Sequence, residues 1–363
     1  MNAKGLNNVR PDNKMPVTFG IVGCGSIARW HTNALKEIAN TRVAGVYDAF
    51  KPSADKLAAE LGATSHATYE NLLADPEIMV VNICTPSGLH APQAIQALNA
   101  GKHVVIEKPM ALSPAEADTV IEAAERNNRR VEVISQLRST QAIRRLKKAV
   151  AEGEFGRVVS ADIYMKFYRS REYYTSSNWR GTWAMDGGGA LMNQGIHGVD
   201  LLLFVMGEVK SVYGIGRTLV HNIETEDTLS AVLEFKCGAL GVVQATTSVY
   251  PGDQRILAIN GSEGSAQLQE DKIFRWETTR GELPEDVSLG TSDVLSAQDP
   301  LAFSTDGHTR QLSAFVRALR SGEPNAIDAH EGKKAVELIC AIYEASRTGR
   351  PVYFPWDGKM TSP

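Results

Sequence analysis

The segment Gly23-Cys24-Gly25-Ser26-Ile27-Ala28 carries the most specific chemistry in the chain. Two glycines at this spacing permit a tight turn whose backbone N–H groups can approach a pyrophosphate, and the start of the following helix adds its positive end. Asp48 stands 20 residues beyond Ala28, where a carboxylate can bond both ribose hydroxyls and repel a 2′-phosphate. NAD is therefore the expected cofactor, held by Gly23, Gly25, Ser26, Ile27 and Asp48. NADP is the lesser option, which nearby Lys51 keeps open.

Two further clusters could handle a proton. Glu107-Lys108-Pro109 closes an apolar run, so Lys108 could bond a reacting hydroxyl and stabilise its alkoxide while Glu107 holds the ammonium in place. In the stretch from Asp186 to Asp200, Asn193, His197 and Asp200 fall at i, i+4 and i+7, on one face of a helix. Asn193 and His197 could there orient and deprotonate a hydroxyl. A helix histidine can equally satisfy a core hydrogen bond, and the spacing leaves both readings open.

Lys166, Tyr168, Arg169, Arg171, Tyr173, Tyr174, Trp179 and Arg180 crowd the approach to the triple glycine at 187–189. Rings stack on sugars and arginine forks pair with carboxylate or phosphate, which makes Tyr168, Arg169, Trp179 and Arg180 candidates for an anionic sugar. The same residue types suit an oligomer interface. Thr225, Glu226, Asp227 and Thr228 could touch substrate or begin an exposed acidic hairpin. Trp30 and His31 are read as packing residues.

The elements that must position these groups follow from hydrophobic period. From Val17 to about residue 135, short apolar runs (VTFGIVG, RVAGVYD, MVVNICT, HVVIEKP, VEVIS) alternate with helical stretches, the pattern of a parallel sheet covered on both faces. Lys108 then lies at the sheet's carboxyl edge, where open α/β sheets bind ligands. After Gly153 the strands alternate polar and apolar residues: Val159, Ala161, Ile163, Met165 and Phe167 share one face, and similar runs at 228–235 and 239–249 predict an antiparallel meander. Residues 279–308 read as an irregular surface excursion, followed by two amphipathic helices. The fold class is α/β, with a Rossmann dinucleotide-binding domain and a second α/β domain on an open, mostly antiparallel sheet. The expected division is a loose tail at 1–15, an NAD-binding domain at 16–138, and a substrate-binding and oligomerisation domain at 139–363.

Composition excludes several classes. With 363 residues, 43% hydrophobic and 22% charged, the chain has the make-up of a globular protein of about two domains. Thirty-eight basic against 42 acidic residues give a formal charge of -4, so no bulk positive field recommends nucleic acid or an anionic membrane. No apolar run approaches the ~20 residues of a membrane span. Cys24, Cys84, Cys237 and Cys340 lie far apart without metal-binding spacing, so neither a disulfide framework nor a metal site is expected. A reducing, cytoplasmic location fits.

Four motifs in order, GIVGCGSIA, TPSGLH at 85–90, EKPMA at 107–111 and GGGALMNQGIHGVDLL at 187–202, give the chain from Val17 to Phe354 a resemblance to the Gfo/Idh/MocA oxidoreductases, a family named for glucose-fructose oxidoreductase, inositol dehydrogenase and a rhizopine-catabolism protein. The resemblance implies that Lys108 is the catalytic lysine, that Thr85, Pro86 and His90 border the cofactor with Glu107 nearby, and that His197 works beside the substrate. It also implies a homodimer or homotetramer formed through the C-terminal sheet. Many members carry Asp where this chain has Asn193, and a neutral amide cannot act as a carboxylate base, which moves acid/base duty towards His197 or Lys108. The NQGIH variant, with Ser177-Asn-Trp179-Arg180-Gly-Thr182, resembles the branch that holds nucleotide-sugar 3-dehydrogenases. The expected activity is NAD-dependent hydride transfer between nicotinamide and a ring hydroxyl of a sugar, sugar acid, nucleotide sugar or cyclitol. The alternatives are an NAD-dependent glycoside hydrolase acting by transient oxidation, an enzyme whose cofactor never leaves, and a non-catalytic NAD-sensing regulator.

Overall fold

A computed structural model describes residues 15–281, 283–292 and 305–359. All but the last residue of the expected tail, and much of the expected surface excursion, lie outside them.

The first half alternates strand and helix: β1 (Val17–Val22), α1 (Ser26–Lys36), β2 (Thr41–Tyr47), α2 (Lys51–Leu61), β3 (Thr64–Ser65), α3 (Tyr69–Ala74), β4 (Val80–Ile83), α4 (His90–Asn99), β5 (His103–Ile106), α5 (Pro114–Arg126) and β6 (Val131–Val133). The strands form a parallel sheet in the order β3-β2-β1-β4-β5-β6, the doubly wound dinucleotide-binding arrangement. Every residue of β1 and β4 is buried, because helices cover both faces. The switch in strand order falls between β1 and β4, so the Gly23 turn and the loop after β4 open onto one crevice.

The second half runs α6 (Gln141–Ala151), β7 (Val158–Lys166), α7 (Arg171–Thr175), a π-helical turn at Ala190–Gly195, α8 (Ile196–Met206), β8 (Val209–Arg217), β9 (Thr228–Phe235), β10 (Leu240–Thr246), β11 (Ile256–Gly261), β12 (Gly264–Gln269), β13 (Lys272–Thr278), α9 (Asp306–Ser321), α10 (Ala329–Thr348) and β14 (Val352–Tyr353). The eight-stranded sheet has the order β13-β12-β11-β7-β10-β9-β8-β14. It is not the simple meander of the sequence reading, since β7 and β10 pair in parallel at its centre. The alternation in β7 holds from Ala161 onward, whereas Val159 is exposed. The apolar face packs against α8 and α10.

Helix α9 crosses the expected boundary at 138. Its Leu312, Phe315, Val316 and Leu319 join Val17, Phe19, Ala28, Leu35 and Val105 in one apolar cluster, so this late helix completes the core behind the dinucleotide-type sheet. Among the described residues no helix is long and apolar enough to cross a membrane.

Candidate active site

The turn after β1 is shaped for close backbone approach. Gly23 has φ +87, and a Cβ there would stand 2.6 Å from the Cys84 carbonyl oxygen, so a larger residue would force β1 and β4 apart. Around Gly25 the space in front of α1 is open, with nothing within 4 Å of a built Cβ. Asp48 directly follows β2 and accepts hydrogen bonds from the backbone N–H of Cys24 at 2.7 Å and of Phe50 at 2.8 Å. Its carboxylate is thereby tied to the Gly-rich turn. Lys51 instead bonds Asp55 and, at 3.0 Å, Ser65. The Gly-rich turn at the N-terminus of α1, with an acid just after β2, fits a dinucleotide with a free 2′-hydroxyl.

The loops after β4 and β5 are braced by His90, whose ring nitrogens face the Pro109 carbonyl at 2.7 Å and the Thr85 carbonyl at 2.8 Å. Thr85 donates from its hydroxyl to Gln93 at 2.7 Å, and Pro86 precedes a short 3₁₀ turn. His90 is buried, so its geometry is that of a strut setting the crevice wall.

Lys108 reaches across to the second half of the chain, where its Nζ donates to the Asn193 carbonyl at 3.0 Å. Glu107 acts on the ammonium through its charge, not by a direct bond: it turns inward, accepts the Lys108 backbone N–H at 3.1 Å, and meets His31 Nε2 at 2.9 Å. Burial pushes the Lys108 ammonium below its ordinary value, opposed by the charges of Glu107 and Asp186. His197 and Lys108 both border a small internal void, no larger than a water molecule, with Ser135, Ile196 and Asp200. Burial, then the positive charges of Lys108 and Arg255, hold its imidazole well below its usual range and therefore neutral. A cationic lysine and a neutral imidazole thus stand as neighbours.

The expected shared face of Asn193, His197 and Asp200 is altered by the π turn. Wider winding over 190–195 changes the phase before α8 begins, so the Asn193 side chain faces Asp186 and Gln194 rather than following the α-helical spacing. Asp200 pairs with Arg138 through two bonds of 2.9 and 2.6 Å. The turn itself is fixed by Glu226, which accepts N–H bonds from Gly189 and Leu191 and the Tyr343 hydroxyl. A Cβ on Gly189 would stand 1.9 Å from the Glu226 carbonyl oxygen, which explains the last glycine of the triplet. Thr225, Glu226 and Asp227 are all buried, so the exposed-hairpin reading of them is corrected.

Asp186, to which the sequence assigned no role, accepts from the Asn193 amide and from the Gly181 N–H at 2.8 Å. Burial is the main cause raising its carboxyl to about 6. The polar chain continues outward: Gln194 donates to Asn193 Oδ1 at 2.7 Å and to the Tyr173 hydroxyl at 2.8 Å, and receives Arg169 at 2.7 Å. Arg180 sits 4.3 Å above the Tyr173 ring and 5.6 Å from that of Trp179. Tyr168 lies apart from this chain, edge-on to Tyr250. Asn193 and Arg169 are therefore neighbours of Lys108, and Arg180 and Trp179 join them through Tyr173, with the cations backed by aromatic faces.

Fold and crevice define a two-domain dinucleotide-binding oxidoreductase with a lysine at the cofactor edge. Comparison with known proteins then fixes the family. A profile described as "Oxidoreductase family, NAD-binding Rossmann fold" matches residues 17–135, and the "GFO/IDH/MocA C-terminal domain" profile matches 143–267. The chain belongs to the Gfo/Idh/MocA family of NAD-binding oxidoreductases. Myo-inositol 2-dehydrogenase of Thermotoga maritima is 28% identical over 346 residues, 92% of this chain and 97% of the relative. Two solved structures are similar throughout. The WlbA dehydrogenase of Chromobacterium violaceum, in complex with NADH and UDP-GlcNAcA, is 33% identical with a TM-score of 0.87, covering 96% of this chain and 99% of that one. The WlbA dehydrogenase of Bordetella pertussis, with the same two ligands, is 31% identical with a TM-score of 0.87, covering 96% and 100%.

Proposed function

We propose that the protein oxidises a ring hydroxyl of an anionic, nucleotide-linked sugar, with NAD as hydride acceptor. The observation that carries the reading is the placement of the Lys108 ammonium against the Asn193 carbonyl, beside neutral His197 and the Arg169–Gln194–Asn193 chain. Bound NAD supplies the hydride acceptor. Lys108 donates a hydrogen bond to the substrate oxygen and stabilises charge that develops there, while His197 accepts the hydroxyl proton. Asn193 orients the hydroxyl, Arg180 pairs with the sugar's anionic groups, and buried Arg169 braces Gln194 behind Asn193. Likeness to the two WlbA dehydrogenases supports the nucleotide-linked substrate.

The cofactor assignment has its own test. Replacing Asp48 with alanine removes a carboxylate that would bond two ribose hydroxyls, each charge-assisted bond being worth about 1.5–3 kcal/mol. NAD affinity measured by calorimetry should fall at least about tenfold, with NADP affinity changed less. Equal loss for both cofactors would contradict the role given to Asp48.

A cytoplasmic homo-oligomer joined through the eight-stranded sheet completes the reading. The outer face carries an open groove lined by Tyr213, Val232, Leu240 and Val242, with Val232 57% and Leu240 62% exposed. Such an apolar face suits a copy of itself. The double substitution Val232→Glu and Leu240→Glu should yield a folded monomer in light scattering, where the parent chain forms a dimer or tetramer. A parent chain that is monomeric at micromolar concentration would remove this part of the proposal.

A further inference from the structure

Behind Lys108 lies a buried polar cluster that the mechanism above does not use. His31 comes from α1, Glu107 from the end of β5, and His308 from the first turn of α9; their ligand-type atoms lie within 4.8 Å of one another. Side-chain exposures of 0% for His31, 7% for Glu107 and 3% for His308 put the cluster out of reach of water. Asn82 Nδ2 lies 3.0 Å from His31 Nδ1, and His31 Nε2 lies 2.9 Å from Glu107 Oε1. With Asn82 as donor, the imidazole proton stands on Nε2 and points at the carboxylate. His308 Nε2 sits 3.6 Å from the same carboxylate oxygen, and its ring meets that of His31 edge-on at 5.3 Å. The other oxygen, Glu107 Oε2, receives the Lys108 backbone N–H.

A carboxylate buried this deeply survives only with partners. We propose that His31 is a positioning residue for the oxidoreductase reaction: it holds Glu107 as an anion that fixes the backbone of Lys108 and supplies negative charge behind its ammonium, with His308 closing the cluster at 3.6 Å. The clamp joins three separate parts of the chain. Helix α1 begins at the cofactor cradle, β5 delivers Lys108, and α9 returns from the far end of the sequence to close the cluster. His31 is buried, as its packing assignment expects, and is also a polar member of this network.

The consequence is electrostatic. The titratable groups within electrostatic reach of Glu107 are His31, His308, Cys84, His90, His197 and Lys108 itself, and those within reach of Lys108 are Glu107, Asp186, Arg169, His90 and His197. Only Glu107 and Asp186 are negative, so neutralising Glu107 makes the ammonium easier to deprotonate.

This inference rests on Lys108 being the reacting lysine, and the experiment separates the two. The pH profile of kcat/KM is compared for the parent protein and for Glu107→Gln, His31→Leu and His31→Gln, with Lys108→Ala as control. Glu107→Gln keeps an acceptor for the Lys108 N–H but removes the charge, and should move the Lys108 inflection down by about one pH unit, a tenfold change in proton affinity. His31→Leu should shift it in the same direction, because Glu107 without its closest side-chain donor takes up a proton more readily. His31→Gln retains an N–H aimed at Glu107 and should restore the parent profile. Should His31→Leu fail to fold, the isosteric Glu107→Gln still decides the matter. Unshifted profiles in Glu107→Gln, or a His31→Gln profile displaced like that of the leucine variant, would overturn the clamp while an inactive Lys108→Ala left the site reading standing. One tightly held divalent metal per chain in the purified protein would also overturn it, since ligation would occupy the nitrogen assigned the His31 proton. Full turnover in Lys108→Ala would overturn both.

Discussion

Lys108→Ala is expected to abolish turnover while leaving NAD affinity near that of the parent protein. The ammonium lies at the carboxyl edge of β5 and bonds the Asn193 carbonyl, so its removal takes away the donor aimed at the reacting oxygen without touching the Gly23–Gly25 turn or Asp48. Loss of a general acid or base typically costs about 10²–10⁴-fold in rate. The decrease should fall on kcat, because the interaction strengthens as charge develops on the substrate oxygen. Steady-state rates, paired with a cofactor titration by protein fluorescence, check the prediction. A variant that turns over at the parent rate removes Lys108 from the chemistry.

Arg138→Ala should produce the largest loss of stability. Arg138 is buried and bonds Asp200 twice, with Glu331 taking a third N–H at 3.0 Å. Without it Asp200 stays behind as a buried carboxylate whose partner is gone, at a cost of about 3–5 kcal/mol. Burial already raises the Asp200 carboxyl above its ordinary value, with Arg138 as the main opposing influence. In the variant the folded-state value rises further. Below the unfolded-state value both states are protonated and the cost of a buried anion vanishes; as pH rises the unfolded carboxyl ionises first and the deficit grows. Urea unfolding at pH 4 and pH 7 should therefore show the smaller deficit at pH 4. Replacing Arg138 by Met and Asp200 by Leu together should recover much of the loss, since an apolar pair of similar volume needs no solvation. Asp200 also borders the small void next to Lys108 and His197, so the single variant should lose activity along with stability.

What was legible in the sequence was local. The Gly-rich turn, Asp48 and Lys108 could be placed because each is defined by a strand end and a short spacing, and the parallel sheet follows from apolar runs of fixed length. Other features depended on contacts between residues far apart in the chain. His31 and His308 are 277 positions apart and meet only because α9 packs on α1, and neither lies in a pattern that points to Glu107. The π turn at 190–195 was hidden because hydrophobic period does not reveal one extra residue in a helical turn, and it is held by Glu226 and Tyr343 from elsewhere in the fold. Asp186 stood in plain view beside the triple glycine; its tie to Asn193 is the one missed contact that a search for a carboxylate near the unusual amide could have found. Burial of Glu226 and Asp227 was not readable from their charge, since backbone N–H groups of the π turn and of residues 219–221 solvate them inside the protein.

The most direct test of the central claim is a spectrophotometric assay with purified protein and NAD, following reduced-nicotinamide absorbance while UDP-linked N-acetylglucosaminuronic acid, free aldoses, inositols and glycosides are offered in turn. The account predicts NADH formation with the nucleotide-linked sugar acid and a kcat/KM well above that for any uncharged, unlinked sugar. Faster reduction of NAD by inositol or a free aldose, or release of a free sugar from a glycoside without net NADH, would contradict it.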